Sequence, residues 1–297
     1  LVCAPDLFWE QAGTEPETIA GLHQHVLDYC RRMGNRFAIL DAPAVFQNTD
    51  AAELDSVKDA MAFARRWPDR LPNRGRPVEG ALYFPWLRVT ALERHRSRAG
   101  HLVVPPCGHV AGIYARSDAE YGVHKAPANE VVEGILDVAV QVSGDIQPEF
   151  NRRGVNCIRS FPGRGIRLWG ARTLSTQPAW VFVHVRRLLL TLVRWCDHAM
   201  ADLVFEPNHP ALWDRMRDRL GSHCYELYQQ GALQGTTPDQ AFYVKCDAET
   251  NPPELRAEGR CVCEVGLAPT VPAEFIVVRI SRSTAGTTAL LVTENNR

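Results

Sequence analysis

The chain has 297 residues, 45% hydrophobic and 23% charged side chains, and a formal net charge of -1 at pH 7. That length allows two domains with cores of their own, and the near-neutral charge argues against a strong nucleic-acid footprint. No apolar run reaches the roughly 18 residues a membrane helix needs, because Val181 to Met200 is broken by His184, Arg186, Arg187, Arg194, Asp197 and His198; nothing at the start has the pattern of a signal peptide.

Taken in order, Leu1 to Leu7 reads as the end of a strand. Ile19, Leu22, Val26, Leu27, Cys30 and Met33 recur at helical spacing, with Gly34 as the stop. Arg36 to Ala42 follows as a short buried strand, so strand, helix and strand succeed one another as in a doubly wound α/β layer. Asp55 to Trp67 is a second predicted helix, stopped by Pro68. Ala81 to Val89 reads as a strand interrupted by Pro85, and Thr90 to His101 as a basic, solvated loop. Gly108 to Arg116 is expected as a helix packed closely on a neighbour through Ala111 and Gly112. Val131 to Val142 is predicted as a strand leading out of the first domain. The polar stretch Gly144 to Gly154 is the expected domain boundary, dividing the chain into 1–150 and 151–297.

The densest stretch is Asn156 to Ser175, which holds three glycines, two aromatics and four arginines in twenty positions. Ile158, Phe161, Ile166, Leu168 and Trp169 form two apolar pieces punctuated by Pro162-Gly163 and Gly165, so two short strands joined by an arginine-bearing turn are predicted. Gly165 and Gly170 have the separation of a phosphate-binding loop. However, Ala171 and Arg172 stand where that loop needs its lysine and hydroxyl. The arginines are then either solvated or in a subunit contact. Beyond them, Val181 to Val185 is predicted as a strand and Arg186 to Leu203 as a long amphipathic helix. Pro210 to Gln230 is another helix, with proline at its first position and Asp214, Arg215, Arg217, Asp218 and Arg219 as an alternating-charge face. Ala241 to Cys246, Arg260 to Leu267 and Ala273 to Arg282 read as strands, with Asn251 to Gly259 as a polar loop. Ser281 to Thr287 is flexible by composition, and Ala289 to Val292 is a compact apolar strand.

Nine cysteines lie between Cys3 and Cys263 without a repeated spacing, as expected of reduced, mostly buried thiols. Cys261 and Cys263 are too few for a zinc site. Cys107 and His109 form a local thiol-imidazole pair, yet no third group orients the base and no oxyanion donors accompany it, so packing is the expected role. His109, His124, Asp118 and Glu120 lack the two-turn spacing of a helical metal site. No catalytic, cofactor or metal residue is predicted.

The stretch Asn156 to Ser175 resembles the signature of contractile tail sheath proteins, the family of contractile phage tails, R-type pyocins and related injection particles. Pro105 to Glu130, Val204 to Arg217, Thr237 to Asp247 and Cys263 to Ile280 resemble further blocks of that family in the same order. The resemblance covers nearly the whole chain and is weakest between about Asp50 and Arg76 and in the last dozen residues. It implies a sheath-type α/β domain, subtilisin-like in fold only, followed by an α+β C-terminal sheath domain with an extended terminal strand arm. An N-terminal segment is expected ahead of Leu1.

In function, the resemblance implies a structural subunit that polymerises helically around an inner tube and contracts to drive the tube through a target envelope. The implied partners are identical subunits, the inner tube protein, and baseplate and terminal cap proteins, with no nucleic acid and no membrane insertion. The implied setting is the cytoplasm of the producing cell, within a phage tail or tail-like particle that the cell can release. Ala289, Leu290, Leu291, Val292 and Thr293 would be the strand that pairs with a neighbour's sheet, with Ser281 to Thr287 as its tether. Arg159, Arg164, Arg167 and Arg172 would be a subunit contact, and the charged helix face would meet the tube. The alternatives are an α/β hydrolase-like enzyme and a monomeric binding module. For the enzyme, fold analogy alone carries no catalysis.

Overall fold

The computed structural model describes residues 1–5, 16–43, 54–72, 74–91, 100–270, 276–283 and 286–292. The chain forms two compact units, Leu1–Arg186 and Arg187–Arg297. The first unit begins with β1 (Val2–Cys3), α1 (Pro16–Met33) and β2 (Ala38–Asp41). The helical spacing seen in the sequence is realised in α1, whose Ile19, Ala20, Leu27 and Cys30 are buried. Gly34, at φ +64°, ends it in the left-handed conformation that glycine accepts at least cost. α2 (Leu54–Arg66) runs into a 3-10 turn (Trp67–Arg70) that carries Pro68.

Pro85 splits the next apolar run into β3 (Gly80–Phe84) and β4 (Leu87–Thr90), which join different sheets. β5 (His101–Val104) pairs antiparallel with β4, so the expected basic loop closes a hairpin; its residues 92–99 lie outside the described residues. α3 (Cys107–Tyr121) buries Cys107, Val110, Ile113, Tyr114 and Ser117. Gly112 is exposed, with no atom within 4 Å of the place of a Cβ among the described residues, so the close approach expected there is not made through Gly112.

The run 131–142 is two separate strands instead of one. β6 (Glu130–Val131) pairs with β9 (Gly165–Trp169, below), and β7 (Asp137–Val138) pairs with β4. Its β-branched residues serve two partners remote in sequence, and Gly134, at φ +74°, lies between the strands. The expected linker 144–154 contains α4 (Gln147–Arg152), anchored by Phe150, which is fully buried and stacks on Phe84 with centroids 5.5 Å apart.

The arginine-rich stretch forms the predicted hairpin, β8 (Val155–Phe161) and β9 (Gly165–Trp169), with Gly165 at φ +75° in the turn. β8 pairs in parallel with β3, giving a six-stranded sheet in the order β1-β2-β3-β8-β9-β6; β1, β2, β3 and β8 pair in parallel, and β9 alone runs opposite, antiparallel to both β8 and β6. The stretch expected to open a second domain is therefore part of the first unit's sheet. The three-stranded sheet β5-β4-β7 accompanies it. α5 (Val183–Ala199) starts where a strand was expected; Phe182 keeps only an isolated bridge to Arg172.

In the second unit, α5 residues beyond Arg186 precede α6 (Pro210–Gln229), which starts on Pro210 as predicted. α7 (Pro238–Ala241) leads into β10 (Phe242–Lys245). The expected polar loop 251–259 holds α8 (Pro253–Ala257) before β11 (Cys261–Leu267). β12 (Ile276–Ser283) and β13 (Gly286–Val292) complete an antiparallel meander, β10-β11-β12-β13. Ser281–Ser283 and 286–287, expected as tether, thus lie in strands, with Ser281 opposite Thr288 and Ser283 opposite Gly286. The nearest partner for the backbone groups of 286–292 is the strand just before it, and a hairpin pairs them. Ala289 to Val292 form most of β13, while Thr293 lies outside the described residues.

Candidate functional site

Asn156 holds the arginine-rich stretch in place. It is fully buried at the start of β8. Its Nδ2 donates to the carbonyls of Leu82 (3.2 Å) and Arg172 (2.7 Å), and its Oδ1 accepts from the Arg172 N–H (2.7 Å). Gly170 allows this closeness, since a Cβ there would stand 2.8 Å from Asn156 Oδ1.

The four arginines divide. Arg159 donates through Nε to the Val142 carbonyl (2.9 Å). Arg164 donates to Asn129 Oδ1 (3.0 Å), and Arg167 to the Asn129 carbonyl (2.7 Å), so both guanidinium groups hold a residue that itself sits at φ +61°. Arg172 lies 5.9 Å from the centroid of Phe182, and no ion pair involves its guanidinium among the described residues. Arg172 also lines a cavity of about 430 Å³ in the first unit, together with Trp169, Gly170, Ala171, Phe182 and His184. His184 is 6% exposed and its Nδ1 has no hydrogen-bond partner among the described residues. Burial, reinforced by His124, depresses its pKa to about 4, so the ring is neutral near pH 7.

At the ends of β1 and β2, Cys107 donates its backbone N–H to Asp41 Oδ1 (2.8 Å), and the Cys3 thiol donates to the Cys107 carbonyl (3.8 Å). Burial raises Asp41 to about 7. The neighbouring Cys3, burial and Asp41 all push the Cys107 thiol far up. A thiol held protonated is a poor nucleophile, which argues against the hydrolase alternative at the pair where the sequence offered it. Among the described residues, no group of three or more His, Cys, Asp or Glu is placed to hold a metal, and no helix is long and apolar enough to cross a membrane.

The charged face of α6 is largely paired within the second unit. Arg217 meets Asp214 at 2.6 Å, and Arg215 meets Glu206 at 3.1 Å. Arg219 grips Asp202 with two bonds of 2.5 and 2.7 Å, which hold the Asp202 carboxyl below the usual range. Asp218 and Arg217 line a cleft of about 580 Å³ that also touches Gly221, Asp239 and Tyr243. Beside it, β10 is one outer strand of the four-stranded sheet, and β13 is the other.

Phe205 escaped the sequence reading. It is 91% exposed and stands at φ +69°, just before α6. Nothing in Val204-Phe205-Glu206-Pro207 marks a phenylalanine for left-handed backbone, although Pro207 marks the loop.

Two family models match the chain: the phage tail sheath protein central domain over residues 17–174 and the phage tail sheath C-terminal domain over 175–282. The chain is 28% identical over 261 residues to the tail sheath protein of Salmonella phage ViI, covering 84% of this chain and 40% of that protein. It is also 28% identical over 183 residues to a putative prophage major tail sheath protein of Pseudomonas aeruginosa, covering 57% of this chain and 44% of the other. The chain thus spans less than half the length of these curated relatives. Among solved structures, it is similar to a chain of an extracellular contractile injection system, the PVC sheath complex in the contracted state, with TM-score 0.68 and 30% identity over 92% of this chain and 70% of that one.

Proposed function

The chain belongs to the phage tail sheath protein family, and from that premise we propose that it is a structural subunit of a contractile tail-like sheath. It polymerises helically around an inner tube and contracts to drive the tube through a target envelope. The observation that carries this reading is the succession of the two sheath domain models over residues 17–282, joined to a fold shared with a contracted sheath complex over 92% of the chain. The work is rigid-body reorientation of identical copies, driven by interfaces that are better in the contracted lattice than in the extended one. No bond in a small molecule is made or cut.

The first unit is the middle sheath domain, with the parallel strands β1, β2, β3 and β8 supporting a subtilisin-like fold without its chemistry. The second unit is the C-terminal domain. Its partners are other copies, the tube, the baseplate and a terminal cap, and it is made in the cytoplasm of the producing cell. The arm is the C-terminal hairpin. β13 is an outer strand held by one neighbour. Leaving β12 for an equivalent strand of another copy exchanges like hydrogen bonds for like, so little free energy opposes the swap. Arg172 remains the strongest subunit contact of its group, because Arg164 and Arg167 already hold Asn129. Deleting Thr288–Arg297 tests the arm. A folded chain that no longer polymerises is expected; normal sheaths from the deletion would count against strand exchange.

A further inference from the structure

Phe205 combines two costly features in one residue. An aromatic side chain left 91% exposed forgoes the burial that usually rewards it, and a left-handed backbone is strained at a non-glycine residue. Its loop is nevertheless pinned on the C-terminal side of the ring. The Glu206 carboxylate pairs with Arg215 at 3.1 Å, and Asn208 donates to the Arg260 carbonyl (2.8 Å) while accepting from Trp213 Nε1 (2.8 Å). These ties hold the backbone next to the ring, so less loop ordering remains to be paid when a partner arrives.

The first unit carries a receptor of matching chemistry. The cavity of about 430 Å³ is lined by Trp169, Phe182, Ala171 and Arg172, with Asn129, Gln147 and Asn151 also on its lining. Aromatic side chains and a guanidinium suit an incoming phenyl ring.

We propose that Phe205 of one copy seats in the Trp169–His184 cavity of a second copy, as a knob-and-socket contact between sheath subunits. The proposal rests on the sheath reading and adds the contact itself. Knob and socket lie on different parts of the same chain, so the contact is head-to-tail, the kind that propagates into an open helix unless rotation closes it into a ring.

Phe205→p-benzoylphenylalanine in assembled particles tests it directly. Irradiation and mass spectrometry should place the cross-link on residues 169–184 of a second copy. In parallel, Phe205→Ala and the cavity-filling Ala171→Trp should each lower polymer yield about tenfold or more, as loss of an interface anchor does, with the melting midpoint of the unassembled protein unchanged. Tyr225→Ala, which removes another exposed aromatic, should polymerise normally. Cross-links confined to a tube protein, to the same chain or to another surface of the second copy would overturn the contact while leaving the sheath reading intact, as would unimpaired polymerisation of Phe205→Ala. A wild-type protein that forms no polymers overturns both.

Discussion

Each unit buries an asparagine as a polar tie, Asn156 in the first and Asn251 in the second, but the two differ in where other polar and charged groups sit. In Leu1–Arg186 they are taken inside: Glu79 and Arg186 form an ion pair at 4% and 5% exposure, Asn156 ties β8 to β3 and to the Arg172 backbone, and Asp41 sits buried at the start of α3. In Arg187–Arg297 the charges of α6 stay in water, and the sheet ends in two outer strands. A frame that must keep its shape gains from internal polar ties that tolerate no loss, because an unpaired buried group is costly. Under the proposed strand exchange, the second unit would gain from an open strand edge and from pairs that water can replace.

The contrast predicts where substitutions hurt. Arg186→Ala leaves Glu79 buried and unpaired, and should cost about 3 to 5 kcal/mol in denaturant unfolding. Pairing Arg186→Met with Glu79→Leu should recover much of that loss; a double variant as weak as the single would contradict the account. Asn156→Ala strips hydrogen bonds from Leu82 and Arg172 and should cost about 2 to 3 kcal/mol. A wild-type midpoint for that variant would show that the hairpin is held by other contacts.

Titration sharpens the same point within the first unit. Burial holds His23 at about 4, and its Nδ1 accepts from Trp67 Nε1 (3.1 Å). A native pKa below the unfolded value of about 6.5 means that its contribution is full above that pH and is lost as pH falls through about 4. Asp41 runs the other way. Its native pKa of about 7 lies above the unfolded value, so its contribution is full below about 4 and is lost as pH rises through about 7. His23→Gln should flatten the acid-side fall in stability, and Asp41→Asn the fall on the rising-pH side. Interchanged slopes in unfolding midpoints across this range would contradict both assignments. The smallest effect belongs to the second unit, where Asp202→Ala removes the exposed partner of Arg219 and should leave the midpoint unmoved.

Much of the framework was legible because it rests on local rules. α1 follows a clean helical spacing, α6 opens on a proline, and the β8–β9 hairpin is written in Pro162-Gly163 and Gly165. What escaped depends on distant partners. The run 131–142 divides because β9 and β4 each claim one end of it, and Val183 starts a helix although β-branched residues surround it. The linker reading at 144–154 missed that Phe150 is a core anchor stacked on Phe84. The arginines were visible as a group, but their division was not. That two of them hold Asn129 depends on where β6 brings residue 129. Phe205 was invisible for a similar reason, since exposure is a property of the folded surface and no residue type announces it.

Everything rests on copies of this chain joining one another in a regular lattice. Electron microscopy of the purified protein, with and without the inner tube protein, tests that most directly. Long hollow cylinders with a constant helical repeat are the predicted result; a field of single particles under both conditions would contradict it.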